Sequence, residues 1–243
     1  MAHSLAGVHR LTALCSTLAF GAGGLAAQNA TPRYTAGWGD VAAVAGAGLL
    51  TVAGALAHPP AAACAPCNSA DLIGFDRGVI DWNSTAARRG SDILLLSVVG
   101  GAALASVGGM EPARARGDAA VLANALLWTT AATEWIKVGV HRARPALYRS
   151  GAVEAAAVHE NRESFPSGHA SVAFAAATTY ATLAARQHLP HATRNSILLY
   201  AGAVSVSVLR VAGGKHFPTD VIGGAALGTG IGWAVARLHP MTR

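Results

Sequence analysis

The stretch HFPTDVIGGAALGTGIGWAVAR, residues 216–237, contains the features that decide the fold. Pro218 suits the first turn of an α-helix, because the N–H that proline lacks would have no partner there. Residues 221–236 are uncharged, and small residues recur every four positions at Gly224, Gly228 and Gly232. Such a series on one helix face lets two helices approach closely, as it often does in membrane bundles. The stretch therefore predicts a closely packed apolar helix over residues 221–236.

Five further apolar stretches precede this one and predict an all-α bundle of about six apolar helices. They are residues 41–57, 93–110, 119–136, 170–185 and 196–209. Strand signals are weak, because alanine is abundant and no sustained alternation of apolar and polar residues occurs. A chain of 243 residues suits one sizeable domain. We therefore expect a single helical domain over residues 31–243, with its motif-bearing core at 119–238.

The composition favours a bundle embedded in a membrane. Hydrophobic residues make up 52% of the chain and charged residues only 12%, well under the usual quarter. Arginine or aspartate flanks nearly every apolar stretch, and long arginine side chains can snorkel to a membrane surface. The uncharged runs are somewhat shorter than the ~20 residues needed to cross a bilayer core. A soluble bundle therefore stays an alternative.

Residues 1–30 predict an export signal. His9 and Arg10 form a basic start, residues 11–27 are apolar, and small residues at 24–27 suit a cleavage site. A first membrane helix that stays attached is the alternative interpretation. Arginines in the short loops of the bundle weakly favour placing the motif-bearing loops outside the cell. A cleaved signal and six crossings would instead place them inside, so either the signal is not cleaved in the ordinary way or residues 41–57 do not cross.

The formal net charge of +6 is compatible with binding to nucleic acid, to an anionic membrane surface or to an anionic substrate. No basic run and no basic patch interleaved with aromatic residues occurs, which argues against nucleic acid as a partner. The two lysines and several arginines lie in or beside three motifs. This placement favours an anionic substrate.

The motif nearest the C-terminus consists of Arg210, His216 and Asp220. Asp220 lies in the first turn of the predicted last helix, where its carboxylate can accept the proton on one imidazole nitrogen of His216. The other nitrogen is then free to attack an electrophile. A lone histidine is more often structural, but the order Arg, Gly-Gly, His, Pro and Asp favours a nucleophile.

A second motif, Pro166-Ser167-Gly168-His169, opens a predicted helix. The free N–H groups and the dipole at a helix N-terminus favour an anion. Ser167 adds a hydroxyl donor, and Gly168 allows a phosphate to approach the backbone. His169 can protonate a leaving oxygen. An ordinary helix cap is the simpler alternative for this motif taken alone.

A third motif contains Lys137 at a helix end and Arg144 before a proline. The planar guanidinium group of arginine matches phosphate oxygens, and lysine adds a point charge. Glu134, one turn earlier, is expected to pair with Lys137. We expect the neighbouring His141, Arg142 and Arg149 to face water or lipid headgroups. Alternating helix directions would bring all three motifs to one end of the bundle.

Cys64 and Cys67 lie in a long loop at the same end. A disulfide in an oxidising compartment is the favoured interpretation. A redox-active pair is an alternative, and a metal site is less favoured because zinc takes four ligands. The loop continues through acidic and basic residues that we interpret as a solvated surface, namely Asp71, Asp76, Arg77 and Asp81.

The three motifs, in this order and spacing, resemble those of the type-2 phosphatidic acid phosphatase superfamily, which also contains the vanadium-dependent haloperoxidases. The resemblance covers residues 137–237 and implies an all-helical fold that needs no metal ion or other cofactor. It implies that His216 is the nucleophile and forms a phosphohistidine, that Asp220 orients it, and that His169 is the general acid. The implied phosphate-binding residues are Lys137, Arg144, Ser167, Gly168 and Arg210. Leu209 departs from the family, which usually has serine there.

We therefore expect a phosphatase that acts on a phosphomonoester or diphosphate of a membrane lipid, with the membrane and the phosphorylated lipid as its partners. Its expected location is a bacterial inner membrane, with the active site facing the periplasm or the outside. A soluble exported acid phosphatase of broad specificity is the first alternative. A vanadate-dependent haloperoxidase and a non-catalytic lipid-binding protein are less favoured.

Overall fold

The structure, a computed structural model, describes residues 33–57 and 61–242. Its long helices are α1 (Trp38–Leu56), α3 (Thr85–Val107), α4 (Pro112–Val140), α6 (Gly168–Gln187), α7 (Ala192–Ala212) and α8 (Pro218–Leu238), with short helices α2 (Gly74–Arg77) and α5 (Ala152–Ala156) between them. Single 3-10 turns lie at Ser69–Asp71, Pro145–Tyr148 and His159–Arg162. The predicted all-α bundle is confirmed. The predicted signal at 1–30 lies outside the described residues.

The helices are longer than the apolar stretches that predicted them, because polar residues close their ends. Ser84 caps α3 by accepting a hydrogen bond from the Ala87 N–H at 3.1 Å. Proline occupies the first turn of both α4 and α8. The first turns of α4 are helical although their charged residues interrupt the apolar pattern from which the helix was predicted.

One pair of short strands was not predicted. β1 (Arg33–Tyr34) pairs antiparallel with β2 (Met241–Thr242), and so joins the two ends of the described chain. The buried Tyr34 hydroxyl donates to the Ala236 carbonyl at 2.7 Å. Arg186 donates to the same carbonyl at 2.6 Å. These contacts close the end of the bundle opposite the predicted motifs.

Helix α6 is the centre of the bundle and packs against α3, α4, α7 and α8. Most of its buried positions are alanine or threonine, which lets the neighbouring helices come close. Its side against α8 meets the predicted glycine series. A Cβ added at Gly224 would lie 2.6 Å from the Ser167 carbonyl oxygen, and one at Gly232 would lie 2.8 Å from that of Ala175.

Gly228 allows the tightest of these approaches, and its replacement tests the α6–α8 packing. A Cβ there would overlap the Ser171 carbonyl, which belongs to the backbone and cannot turn aside. We expect Gly228→Ala to destabilise the protein by about 1–3 kcal/mol, the usual cost of overpacking. The thermal midpoint of the detergent-purified protein measures this. Gly230→Ala is the matched control, since its Cβ meets nothing within 4 Å. It should be neutral or stabilising, because alanine favours helices; equal loss in both variants would contradict close packing at Gly228.

Among the described residues, four helices are long and apolar enough to cross a membrane: α1, α3, α7 and α8. Large apolar side chains on these helices point away from the bundle, including Leu49, Leu96, Ile197 and Ile222. The two remaining long helices, α4 and α6, are less apolar than these four. α4 carries charged residues in its first turns, and α6 contains histidine, serine, threonine and tyrosine among its alanines.

Candidate active site

A cavity of about 280 Å³ lies at the end of the bundle where α1, α4 and α7 end and α6 begins. Six of the eight predicted catalytic and phosphate-binding residues line it: Lys137, Arg144, Gly168, His169, Arg210 and His216. The other two, Ser167 and Asp220, are fully buried outside this lining. The fold therefore brings residues that are up to 79 positions apart (137 to 216) into one pocket.

The tight link between α7 and α8 places His216. Gly214 has a φ of +65°, and a Cβ there would overlap the Trp82 carbonyl. Glycine therefore meets both a conformational and a spatial demand. The link brings His216 to a position where its side chain is only 2% exposed.

A backbone carbonyl sets the tautomer of His216. Its Nδ1 lies 2.8 Å from the Ser164 carbonyl oxygen. A carbonyl can only accept, so Nδ1 carries the proton and Nε2 keeps the lone pair. The imidazole lines the cavity in the form that a nucleophile requires.

Asp220 holds His216 less directly than the sequence predicted. Its Oδ2 lies 3.8 Å from His216 Nδ1, beyond hydrogen-bonding distance. That oxygen instead accepts from the Ser164 hydroxyl at 2.6 Å and from the Phe217 N–H at 2.8 Å. The expected direct bond to the imidazole is therefore wrong. The carboxylate of Asp220 turns back to the N–H of Phe217, the residue before α8, and the Ser164 carbonyl takes the place expected for Asp220.

Three cations, Lys137, Arg144 and Arg210, line the cavity around His216 together with three glutamates. The pKa of His216 lies well below its ordinary value of 6.5. Burial is the largest cause, and the charges of Arg144 and Arg210 come next. The imidazole is consequently neutral at physiological pH.

Two of the three predicted phosphate-binding cations have unsatisfied donors. The Nε atoms of Arg144 and Arg210 are buried and have no hydrogen-bond partner within the described part of the chain. A buried donor without an acceptor is costly, and phosphate oxygens would satisfy both. Lys137 pairs with Glu134 at 2.8 Å, as predicted.

His169 has a partner that the sequence analysis missed. Its Nε2 lies 2.8 Å from Oδ1 of Asp92, near the start of α3, and the same oxygen lies 3.4 Å from Arg210. Asp92 thus joins the proposed acid to one proposed phosphate-binding residue. An ionisable residue at the edge of an apolar helix was the available signal, since such residues mark functional sites in membrane helices.

The N-terminus of α6 differs in one detail from the prediction. Ser167 is fully buried, and its hydroxyl caps the helix by accepting from the Ala170 N–H at 3.5 Å. It does not line the cavity, so the hydroxyl serves the helix cap that was the simpler alternative. Gly168 does line the cavity, and a Cβ there would lie 3.8 Å from the ammonium nitrogen of Lys137.

Two residues expected at the solvated surface are instead part of a buried network. Asp76 is only 1% exposed, and it forms an ion pair with Arg142 at 2.6 Å. Arg142 also pairs with Asp220. The surface interpretation of Asp76 and Arg142 is therefore wrong, because their partners lie far away along the chain and only folding brings them together.

The cysteine loop lies against the same end of the bundle. The structure joins Cys64 and Cys67 by a disulfide. The Cys67 N–H donates to the Leu147 carbonyl at 2.7 Å, which attaches the loop beside Arg144. Within residues 33–57 and 61–242, no group of three or more histidine, cysteine or acidic side chains is arranged to hold a metal ion.

Comparison with known proteins agrees with the motif pattern. The model of the PAP2 superfamily matches residues 118–243, which contain every motif described above. The chain belongs to the PAP2 superfamily. The resemblance seen in the three motifs is thereby confirmed, although helices α1 and α3 precede the matched region.

Part of the chain is also similar to a protein of known name. Over 101 residues the chain is 41% identical to Phosphatidylglycerophosphatase B of Bacillus subtilis (strain 168). The match covers 39% of this chain and 43% of that protein, so the chain spans less than half the length of the relative. No solved structure matches the chain.

Proposed function

We propose that this protein is a phosphatase that hydrolyses a phosphomonoester or diphosphate of a membrane lipid through a phosphohistidine on His216. The observation that carries the proposal is the buried imidazole of His216, whose Nδ1 lies against the Ser164 carbonyl, in a cavity whose two buried arginines have unsatisfied donors. An activated nucleophile beside preorganised cations is the equipment that phosphoryl transfer needs.

The first step is an in-line attack. His216 Nε2 forms a bond to phosphorus while the bond from phosphorus to the leaving oxygen breaks. Lys137, Arg144 and Arg210 balance the charge on the three equatorial oxygens. His169 must enter this step protonated on both ring nitrogens; it keeps the Nε2–H on Asp92 and gives its Nδ1 proton to the leaving oxygen, so the lipid alcohol departs neutral.

The second step frees the enzyme. His169, now neutral, takes a proton from water as the water oxygen attacks phosphorus, and the bond from phosphorus to Nε2 breaks. Inorganic phosphate leaves, and both histidines return to their starting forms. Asp92 accepts the His169 Nε2–H in the geometry observed, and so holds this side chain at the cavity.

Three observations support a lipid substrate and a membrane location. The four apolar helices present large exposed side chains that a lipid bilayer would cover. The cavity lies at the ends of these helices, where the phosphate of a lipid in the same bilayer would be found. The name of the Bacillus subtilis relative describes a phosphatase of a phospholipid.

The disulfide supports the orientation proposed for the site. Disulfides persist in oxidising compartments, and the cysteine loop is attached beside Arg144 at the cavity end. The active site would accordingly face the periplasm or the outside of a bacterial inner membrane.

The experiment that tests the function measures phosphate release by the purified protein from a panel of lipids in detergent micelles. Phosphatidic acid, phosphatidylglycerol phosphate and a polyprenyl diphosphate represent the substrate classes, and a soluble phosphomonoester serves as comparison. Higher kcat/KM for a lipid supports the proposal. Equal rates on the soluble ester, with release of the folded protein from membranes without detergent, would support the soluble acid phosphatase instead.

The pH dependence of kcat/KM tests the neutral state of His216. The attacking imidazole must be unprotonated, and its lowered pKa keeps it so to acidic pH. The ionisation of the substrate phosphate is measured separately, so that its contribution to the profile can be removed. We then expect the loss of kcat/KM caused by protonation of the enzyme to begin below pH 6.5. An enzyme limb at or above pH 6.5 would contradict a buried neutral nucleophile.

A further inference from the structure

We propose that Asp76 is a positioning residue for the nucleophile, acting through Arg142, Asp220 and Ser164. The inference rests on the proposed function, and it assigns a role in the active site to a residue outside the region that matches the family. The chain of contacts that carries it runs from the loop before α3 to the imidazole of His216.

The first link is the Asp76 carboxylate, which is almost fully buried. Its Oδ2 accepts from Arg142 Nη2 at 2.6 Å and from the Thr219 hydroxyl at 2.6 Å. Its Oδ1 accepts from the Thr219 N–H at 3.2 Å. Asp76 therefore supplies an acceptor to a free N–H in the first turn of α8, where the helix dipole also favours a negative charge.

The second link is Arg142, which lies between two buried carboxylates. One end of its guanidinium group binds Asp76, and the other binds Asp220 and the Thr219 hydroxyl. Its Cζ lies 4.8 Å from the centre of the Phe217 ring, next to the nucleophile in sequence. A planar fork can hold both carboxylates at once, which a lysine ammonium on a flexible stem would not reproduce.

The third link connects Asp220 to the imidazole through one residue. Asp220 Oδ2 accepts from the Ser164 hydroxyl at 2.6 Å, and the Ser164 carbonyl accepts from His216 Nδ1 at 2.8 Å. The Ser164 N–H donates to the Arg142 carbonyl at 2.9 Å, which fixes the same residue from the other side. Ser164 is therefore held at both its backbone and its side chain.

The charge balance explains why Asp76 matters to a site it does not touch. Without Asp76, Arg142 would balance only Asp220, and the Thr219 N–H and hydroxyl would lose an acceptor in a buried place. Removing one partner of a buried ion pair is costly, because the other charge stays desolvated. The first turn of α8 and Ser164 would then shift, and with them His216.

The test is Asp76→Asn, which keeps the shape of the side chain and removes its charge. We expect kcat to fall about 10²-fold, as a small misplacement of a reacting group does, with KM changed less than about threefold. Product inhibition by inorganic phosphate should keep its inhibition constant, because Lys137, Arg144 and Arg210 are unaltered. Asp81→Asn is the matched control, since Asp81 is an exposed aspartate of the same loop. It should retain wild-type kinetics.

The outcomes separate the possibilities. Unchanged kcat in Asp76→Asn, with active wild-type enzyme, overturns the positioning role and leaves the proposed function standing. A parallel loss of kcat and of phosphate inhibition indicates a merely structural role and also overturns it. If Asp76→Asn fails to fold, Thr219→Val removes only the bridging hydroxyl and must show the same loss of kcat with intact phosphate inhibition. A wild-type protein inactive on every lipid overturns both the function and this inference.

Discussion

Replacing His216 with alanine should reduce phosphate release at least about 10⁴-fold, as loss of a catalytic nucleophile does, since among the described side chains that line the cavity the proposed mechanism gives the attack to His216 alone. The loss should fall on kcat, because the arginines that bind the phosphate are untouched. Rapid acid–base quenching with a radiolabelled lipid should trap an acid-labile, base-stable phosphoenzyme in the wild type and none in His216→Ala. This loss is the largest that the mechanism predicts.

The control for His216→Ala is a histidine that lies far from the cavity. His191 is exposed and immediately precedes α7, with a positive φ of 58° that asparagine tolerates. His191→Asn should stay within about twofold of the wild type, as surface changes usually do. If His216→Ala kept a tenth of the activity, or still formed the phosphoenzyme, the assignment of the nucleophile would be wrong.

Replacing His169 with asparagine should lower kcat on a lipid phosphate by about 10²–10⁴-fold, the usual contribution of a general acid. An alkyl alkoxide is a poor leaving group and needs the proton that His169 donates. A nitrophenyl phosphate needs no such proton, so phosphoenzyme formation from it should fall less than about tenfold.

The same variant tests the second role assigned to His169. If it also activates water, His169→Asn should release about one equivalent of nitrophenol per active site in a burst and then turn over slowly, because the phosphohistidine accumulates. Stopped-flow absorbance measures both phases. Equal losses on the lipid and on the nitrophenyl ester, without a burst, would contradict an acid–base role and indicate that His169 only binds phosphate.

The helices and their order followed from local patterns in the sequence. Uncharged stretches, the proline at the start of α8 and the glycines facing α6 act within a few residues, so they can be recognised without the fold. The cations and histidines of the motifs could be predicted for a similar reason, since each lies at a helix end that its own neighbours define. Their common position then followed from the alternating helix directions.

The partners of these residues could not be predicted in the same way. Asp92 meets His169 across 77 positions, and Asp76 meets Arg142 across 66. No local pattern distinguishes Asp76 from Asp71 or Asp81, which stay at the surface. Asp92 stands at the edge of an apolar stretch, which marks it as unusual but does not name its partner. The backbone acceptor of His216 could not be predicted, because a carbonyl such as that of Ser164 is present at every residue and only the fold selects it.

The sequence by itself determined the helical bundle, the set of groups that handle phosphate and their gathering at one end. These properties depend on which side chains are present and on how far each lies from a helix terminus. Only the tertiary structure decided which acceptor holds the imidazole of His216, which carboxylate contacts His169, and that the loop before α3 supports the site. Those outcomes depend on distances between segments remote in sequence, and a hydrogen bond or ion pair forms only where folding closes them to about 3 Å.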